Sequence, residues 1–358
     1  MTVRSELLAR LRGDGSHTPL YLPDLTLWYD WHAKHGSLPA TWQGYSLAQV
    51  TRALGAPVWL PAAHRRVDGP SVRITTTEQG GERVIRSETA AGTLVARWNP
   101  GPDGAWWQSE YPVKRATDLP AVLELAKARA YVFDLNWPVL EAEVGDDGIV
   151  AIEIPRRPLS DLLHEYLGWG DGLMLLVEER AAIRQIVDVL EEKLQQFVAE
   201  LAPVPAAVVL SPDNLDGQYI SPRLYREYLA GSYQRTAEAM HAQGKQLIVH
   251  VGGPAQRLLA PLAAAGVDGV EGVAGPPQGD TSLAEARALA GPGLTLWGGI
   301  PQDYVLGTHG YATFENAVLA AAQEAAADPR TILGVADRVP VDAAVDRLEA
   351  VVRLVSTV

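Results

Sequence analysis

Residues 206–251 read AAVVLSPDNLDGQYISPRLYREYLAGSYQRTAEAMHAQGKQLIVHV. Two short apolar runs, AAVVL and QLIVHV, flank SPRLYREYLAGSYQRTAEAMHAQG, whose apolar spacing is helical. Strand, helix, strand is the parallel βαβ unit. The rhythm repeats on both sides. AYVFDL (130–135), GIVAIEI (148–154), DGVEGV (268–273), LTLWGG (294–299) and TILGVA (331–336) are further strand candidates. Helical patterns recur at 178–201, 314–328 and 341–355. Repetition without a halfway break predicts an α/β fold of (β/α)8 TIM-type barrel architecture, with an open doubly wound sheet as the alternative.

The first part of the chain differs. It holds seven of the ten tryptophans: Trp28, Trp31, Trp42, Trp59, Trp98, Trp106 and Trp107. There SVRITTTEQGGERVIRSETAAGTLVARW (71–98) alternates β-branched and polar residues around Gly-Gly and Ala-Gly turns, which predicts a β-hairpin or meander. SLAQVTRALG (46–55) predicts a short helix ended by Gly55. No linker or internal repeat divides the chain. The expectation is one domain over 1–358, with an aromatic-rich N-terminal extension over 1–115 and repeated βα units over 116–358.

Composition narrows the function. The net charge of -13 over 358 residues disfavours nucleic acid and anionic membranes as partners. Without cysteine the chain has no disulfide, thiolate metal site or cysteine nucleophile. The opening MTVRSELLARLRGDGSH lacks a signal-peptide apolar run, and no stretch suits a bilayer span, so cytoplasmic residence is the expectation. Walker, GxGxxG, GxSxG and HExxH motifs are missing.

Barrel chemistry sits at the C-terminal ends of strands. Asp134 and Asn136 end one candidate strand, Arg156 and Arg157 follow another, and Asp213 and Asn214 follow a third. His250, Glu271, the pair Gly298-Gly299 and Asp337 end the others. Each has a plain structural reading: a hydrogen-bonded histidine, an Asx-turn or cap at 213–214, a tight turn at 298–299, a solvated basic pair. Their coincidence on several strands favours a site. His250, Glu271 and Asp337 offer an imidazole and two carboxylates, suited either to a divalent metal or to metal-free acid–base work. Arg156 or Arg157 could clamp a carboxylate, Gly298 and Gly299 could hold an anion or cofactor through free backbone N–H groups, and Trp28 could line a pocket.

Asn214 through Ile220-Ser221-Pro222 and Tyr225-Arg226-Glu227-Tyr228, then GKQLIVHVGG (244–253), resembles the uroporphyrinogen decarboxylase superfamily. So do LAAAGVDGVEG (262–272), LAEARALAGPGLTLWGGIP (283–301) and ILGVADRVP (332–340). The resemblance runs from about residue 150 to the C-terminus. It implies a TIM-type barrel and one of two activities. The decarboxylases carry an N-terminal arginine segment for tetrapyrrole carboxylates, and here Tyr21-Leu22-Pro23-Asp24 has no arginine beside it. The methyltransferases move methyl groups between a corrinoid and an acceptor, with zinc held by a His-Xaa-Cys pair and a later Cys. His250 matches their histidine and Glu271 their glutamate, while Gly252 and Asp337 replace the cysteines.

The resemblance thus implies, as leading expectation, corrinoid-linked methyl transfer with a metal (zinc favoured) at His250, Glu271 and Asp337. Its partners would be a small-molecule substrate and a corrinoid protein, and a homodimer follows the family tendency. The first alternative is a metal-free decarboxylase or lyase on an organic acid, using His250, Asp213, Asn214 and Arg157. The second is a non-catalytic ligand-binding member of the family.

Overall fold

A computed structural model of the chain describes residues 2–101 and 106–358. The first strand, β1 (Val58–Ala63), is followed by β2 (Arg65–Asp68). The alternating stretch then forms β3 (Arg73–Gln79), β4 (Glu82–Thr89), β5 (Gly92–Pro100) and β6 (Trp106–Glu110). After β7 (Arg129–Val132) come β8 (Gly148–Glu153), β9 (Val208–Leu215), β10 (Gln246–Val251), β11 (Gly269–Val273), β12 (Thr295–Ile300) and β13 (Thr331–Val335).

Seven strands form one parallel sheet in the order β1-β8-β9-β10-β11-β12-β13, and β3–β6 form a separate antiparallel sheet. The parallel strands are buried on both faces, as their near-continuous apolar composition requires. Long helices such as Arg180–Glu200, Tyr311–Ala326 and Val345–Val355 cover the outer face with their apolar stripes. The sheet curls. Its inner face is a separate apolar cluster that takes Trp59 from β1, Ala151 from β8, Leu210 from β9, Ile248 from β10 and Trp297 from β12. The rings of Trp59 and Trp297, from strands distant in sheet order, meet at 4.7 Å and 80°. Helix Val3–Arg12 adds Leu7 and Leu11 to this cluster, and its Arg10 is tied to Thr331 O at 2.6 Å. Residues 20–22 run beside β13, with Leu22 N–H donating to Leu333 O and Leu333 N–H to Leu20 O.

Two expectations change. AYVFDL is not part of the parallel sheet: β7 pairs antiparallel with β2, and Asp134 is an exposed partner of Arg65 at 2.8 Å. The strand that takes its place is β1, VWLPAA, whose central Pro61 breaks the β-like pattern. The parallel sheet therefore starts at Val58, not near residue 115, and β2–β7 are inserted between its first two members. The helix at 47–54 is as read, with Ser46 and Gln49 forming a capping box and Gly55 closing it at φ 83°. Among the described residues no helix is long and apolar enough to cross a membrane.

Candidate active site

His250 and Glu271 occupy the same register position on β10 and β11, so their side chains leave the sheet side by side. His250 Nδ1–H donates to Glu271 Oε2. The other ring nitrogen, Nε2, faces Asp337 Oδ1 at 3.5 Å. Asp337 lies just beyond β13 with φ 62°, a left-handed conformation that β-carbon contacts disfavour. Asn214, at the end of β9, shares this feature with φ 49°. These are the only positive-φ non-glycine residues among those described, and backbone strain of this kind clusters at functional sites.

The imidazole thus has a carboxylate on each side. Burial disfavours the charged ring, but Glu271 and Asp337 outweigh it and lift its pKa to about 9. Burial also raises Glu271, against the pull of His250. For this coupled pair the direction that governs the chemistry is that of His250, because two acceptors converge on one ring. At neutral pH the ring is an imidazolium, with Nδ1–H donated to Glu271 and Nε2 3.5 Å from Asp337.

Further charges surround the trio. Arg338, an exposed residue, follows Asp337 directly, and Asp24, Asp337, Glu153 and Glu271 together favour its charged form over the cost of partial desolvation. Its guanidinium forms no hydrogen bond among the described residues. Arg338 and Glu153 also line a polar pocket of about 230 Å3 with His64, Arg66 and Arg156. Arg156 is held by Pro212 O at 3.0 Å and Glu165 at 3.2 Å. Burial raises Glu153 and lowers His64. Asp24, Glu153, His64 and Arg338 were not among the expected residues. Glu153 and His64 lie at the ends of β8 and β1, and the strand-end rule would have found Glu153 in IEIP. Asp24 had no such signal, because the segment 20–22 is too short for a strand pattern.

The other expected residues lie elsewhere. Arg157 and Asp213 are completely buried and bind each other: Arg157 N–H donates to Asp213 Oδ1, with Nε 3.7 Å from Oδ2. Ser211 and Tyr233 hydroxyls donate to Asp213 Oδ2 at 2.7 and 2.6 Å, and Thr236 accepts from Arg157 at 2.6 Å. With every group satisfied inside the protein, the pair is a structural tie, not a proton relay or carboxylate clamp. Trp28 is 1% exposed, its Nε1–H donating to Ala343 O, so it is core and not a pocket wall. The glycine pair stands where a side chain has no room: a Cβ at Gly298 would stand 2.1 Å from Val273 O, and one at Gly299 2.6 Å from Leu283 Cδ1. Asn214 closes over Gly252, where a Cβ would fall 1.5 Å from its Oδ1.

The profile of uroporphyrinogen decarboxylase (URO-D) matches residues 168–358, more than half of the chain and all of the sheet from β9 onward. The chain belongs to the uroporphyrinogen decarboxylase family. It is thereby an enzyme of the uroporphyrinogen decarboxylase and methyltransferase type. One solved structure, a methyltransferase from Methanosarcina mazei, shares the fold with a TM-score of 0.62 at 15% identity, covering 100% of this chain and 99% of that one. A D-psicose 3-epimerase studied with D-fructose reaches a TM-score of 0.38 at 12% identity, over 67% of this chain and 91% of that one. That likeness is too low to bear on either fold or chemistry. No curated protein matches the chain.

Family membership raises the question of zinc, and the donors do not fit a three-ligand centre. Gly252 supplies no ligand, and the space a side chain would need holds Asn214. His250 commits Nδ1 to Glu271, which leaves Nε2 and Asp337 as two donors where zinc sites use at least three protein ligands. Among the described residues no group of three or more His, Cys, Asp or Glu side chains could hold a metal ion. Glu271 orients the imidazole and is not placed as a third ligand.

Proposed function

We propose that this family member is an acid–base enzyme, a decarboxylase or lyase acting on a small organic acid, with His250 as proton donor. The observation that carries the reading is the imidazolium of His250 flanked by Glu271 and Asp337. Arg338, unpartnered by hydrogen bonds, and Arg156 supply the cationic groups that a carboxylate substrate needs. In decarboxylation the bond between the substrate carbon and its carboxylate breaks, and CO2 leaves. The electron pair remains on a carbon conjugated to the substrate's own electron-accepting group. Nε2–H of His250 protonates that carbon, and water restores the proton past Asp337, the most exposed of the three. Glu271 keeps the ring oriented throughout. In this reading the chain works as one domain, and residues 20–22 complete an eight-stranded barrel around the site. The Tyr21–Leu333 bridge and the Trp59–Trp297 contact support that closure.

The test is turnover of a panel of aromatic and heteroaromatic carboxylic acids in D2O, read as CO2 release and deuterium in the product. One deuterium on the carbon that had carried the carboxylate, lost with His250→Asn and reduced with Arg338→Gln, is the expected result. CO2 release undiminished by His250→Asn would remove His250 from the mechanism.

A second reading is metal-dependent methyl transfer to or from a corrinoid. One observation favours it. A carboxylate on Nδ1 is the arrangement that orients a metal-ligating imidazole, and Nε2 and Asp337 stand 3.5 Å apart. Stoichiometric zinc in protein purified without chelators, lost with Asp337→Ala, would select this reading over the first.

A further inference from the structure

A cavity of about 300 Å3 opens at the N-terminal edge of the parallel sheet, the edge opposite the candidate active site. Its lining includes Leu8 and Arg12 of helix Val3–Arg12, His241 of helix Ala230–Ala242, Lys245 and Gln246 at the start of β10, and Asp268 just before β11. Lys245 is 3% exposed, yet its ammonium makes no hydrogen bond or ion pair with any described residue. A surface lysine buries its stem and keeps its head in bulk water, which so small an exposure does not allow. The ammonium is not sealed off either. Lys245 Nζ is not among the unpartnered polar atoms shut away from solvent, so the little surface it keeps opens on the cavity it lines. Burial pulls its pKa below the ordinary lysine value, and no carboxylate offsets that cost.

The neighbouring charges do not complete the pairing. Asp268 is the one carboxylate of the lining, and its Oδ2 accepts from Leu247 N–H at 2.7 Å and lies 2.8 Å from His241 Nε2. Arg12 donates from Nε to Leu8 O at 3.2 Å and forms no ion pair. Arg330, which donates to Arg12 O at 2.6 Å, forms none either. Three cations without a carboxylate thus meet at one edge of a chain whose net charge is -13. A buried charge calls for a counter-charge, and here the protein supplies none.

We propose that this cavity binds a phosphate group, free or esterified, against Lys245 Nζ, with Arg12 reaching it from the helix. An ammonium is a compact point charge and a guanidinium a planar fork, and a tetrahedral oxyanion has oxygens enough for both. When occupied, the site ties helix Val3–Arg12 to the start of β10. The proposal does not depend on the decarboxylase reading, since Lys245 lies five residues, roughly 16 Å of extended chain, before His250.

The experiment is calorimetric titration of the full chain with inorganic phosphate and with phenyl phosphate, at ionic strength held constant with potassium chloride. One-to-one binding is expected, weakened at least tenfold by Lys245→Met and at least threefold by Arg12→Gln, an exposed position whose change leaves the core intact. Without phosphate, Lys245→Met should melt above wild type, because it removes an unpaired buried charge. Phosphate should raise the melting temperature of wild type and leave that of Lys245→Met unmoved. Tighter binding of phenyl phosphate assigns the site to a phosphomonoester, and tighter binding of inorganic phosphate to the free ion. Failure of wild-type protein to bind either probe overturns the proposal, as does affinity unchanged by Lys245→Met.

Discussion

His250 and Glu271 are register partners on adjacent parallel strands, and the hydrogen bond from Nδ1 to the carboxylate follows from that register. A one-residue slip of either strand would turn one side chain to the opposite face of the sheet. The His250–Glu271 half of the site is therefore built into strand pairing, while Asp337 is supplied by the segment that follows β13.

Replacing Glu271 by Gln removes the larger of the two attractions that hold the proton on His250. The ring's pKa should fall from about 9 toward the ordinary value near 6.5. In activity this moves the basic limb of the pH–rate profile down by roughly one to two pH units. A profile unchanged in position would mean that another group sets that limb.

The same shift makes stability depend on pH. A histidine whose folded pKa is raised stabilises the protein fully below its unfolded pKa and loses that contribution as pH rises through the folded value. The advantage of wild type over His250→Gln in urea unfolding should thus be largest at about pH 6. It should shrink steadily between about pH 6.5 and about pH 9. An advantage that grows over this window would reverse the assignment.

Asp213 and Arg157 are predicted to act on stability alone. Asp213→Ala leaves a fully buried guanidinium without its carboxylate, a loss of about 3–5 kcal/mol in unfolding free energy. At temperatures where the variant stays folded, the pH profile of activity should keep its shape. A displaced pH limb would return Asp213 to the chemistry.

Gly298→Ala should destabilise the chain by at least about 1–3 kcal/mol through its backbone conformation at φ 147° alone, with the clash against Val273 O added. Chemical denaturation measures this. Tolerance of alanine without loss would show that neither the backbone conformation nor the contact with Val273 O demands glycine there.

Much of this was legible beforehand. Six of the seven parallel strands are continuous apolar runs that no other element explains, and the helices between them carry clear 3.6-residue stripes. The missing strand, β1, was hidden by Pro61, and AYVFDL took its place because β7 is apolar although it pairs with β2. His250, Glu271 and Asp337, which the structure brings together, could be grouped from the sequence because parallel strands of one sheet end along the same edge. Whether a polar residue points into that space or into the core is decided by one step of alternation. That is why Asp213 and Arg157 appeared equivalent to His250 and are instead buried in the fold's own hydrogen bonds. Arg338 and Asp24 gain their meaning only from neighbours far away in sequence.

The protonation state of His250 decides the mechanism, and nitrogen-15 NMR of the imidazole rings reads it, with His250→Asn identifying the resonance. Both ring nitrogens should carry protons at pH 7.5, and the ring should titrate near pH 9. A neutral ring at pH 7.5 that titrates at or below about 6.5 would contradict that mechanism.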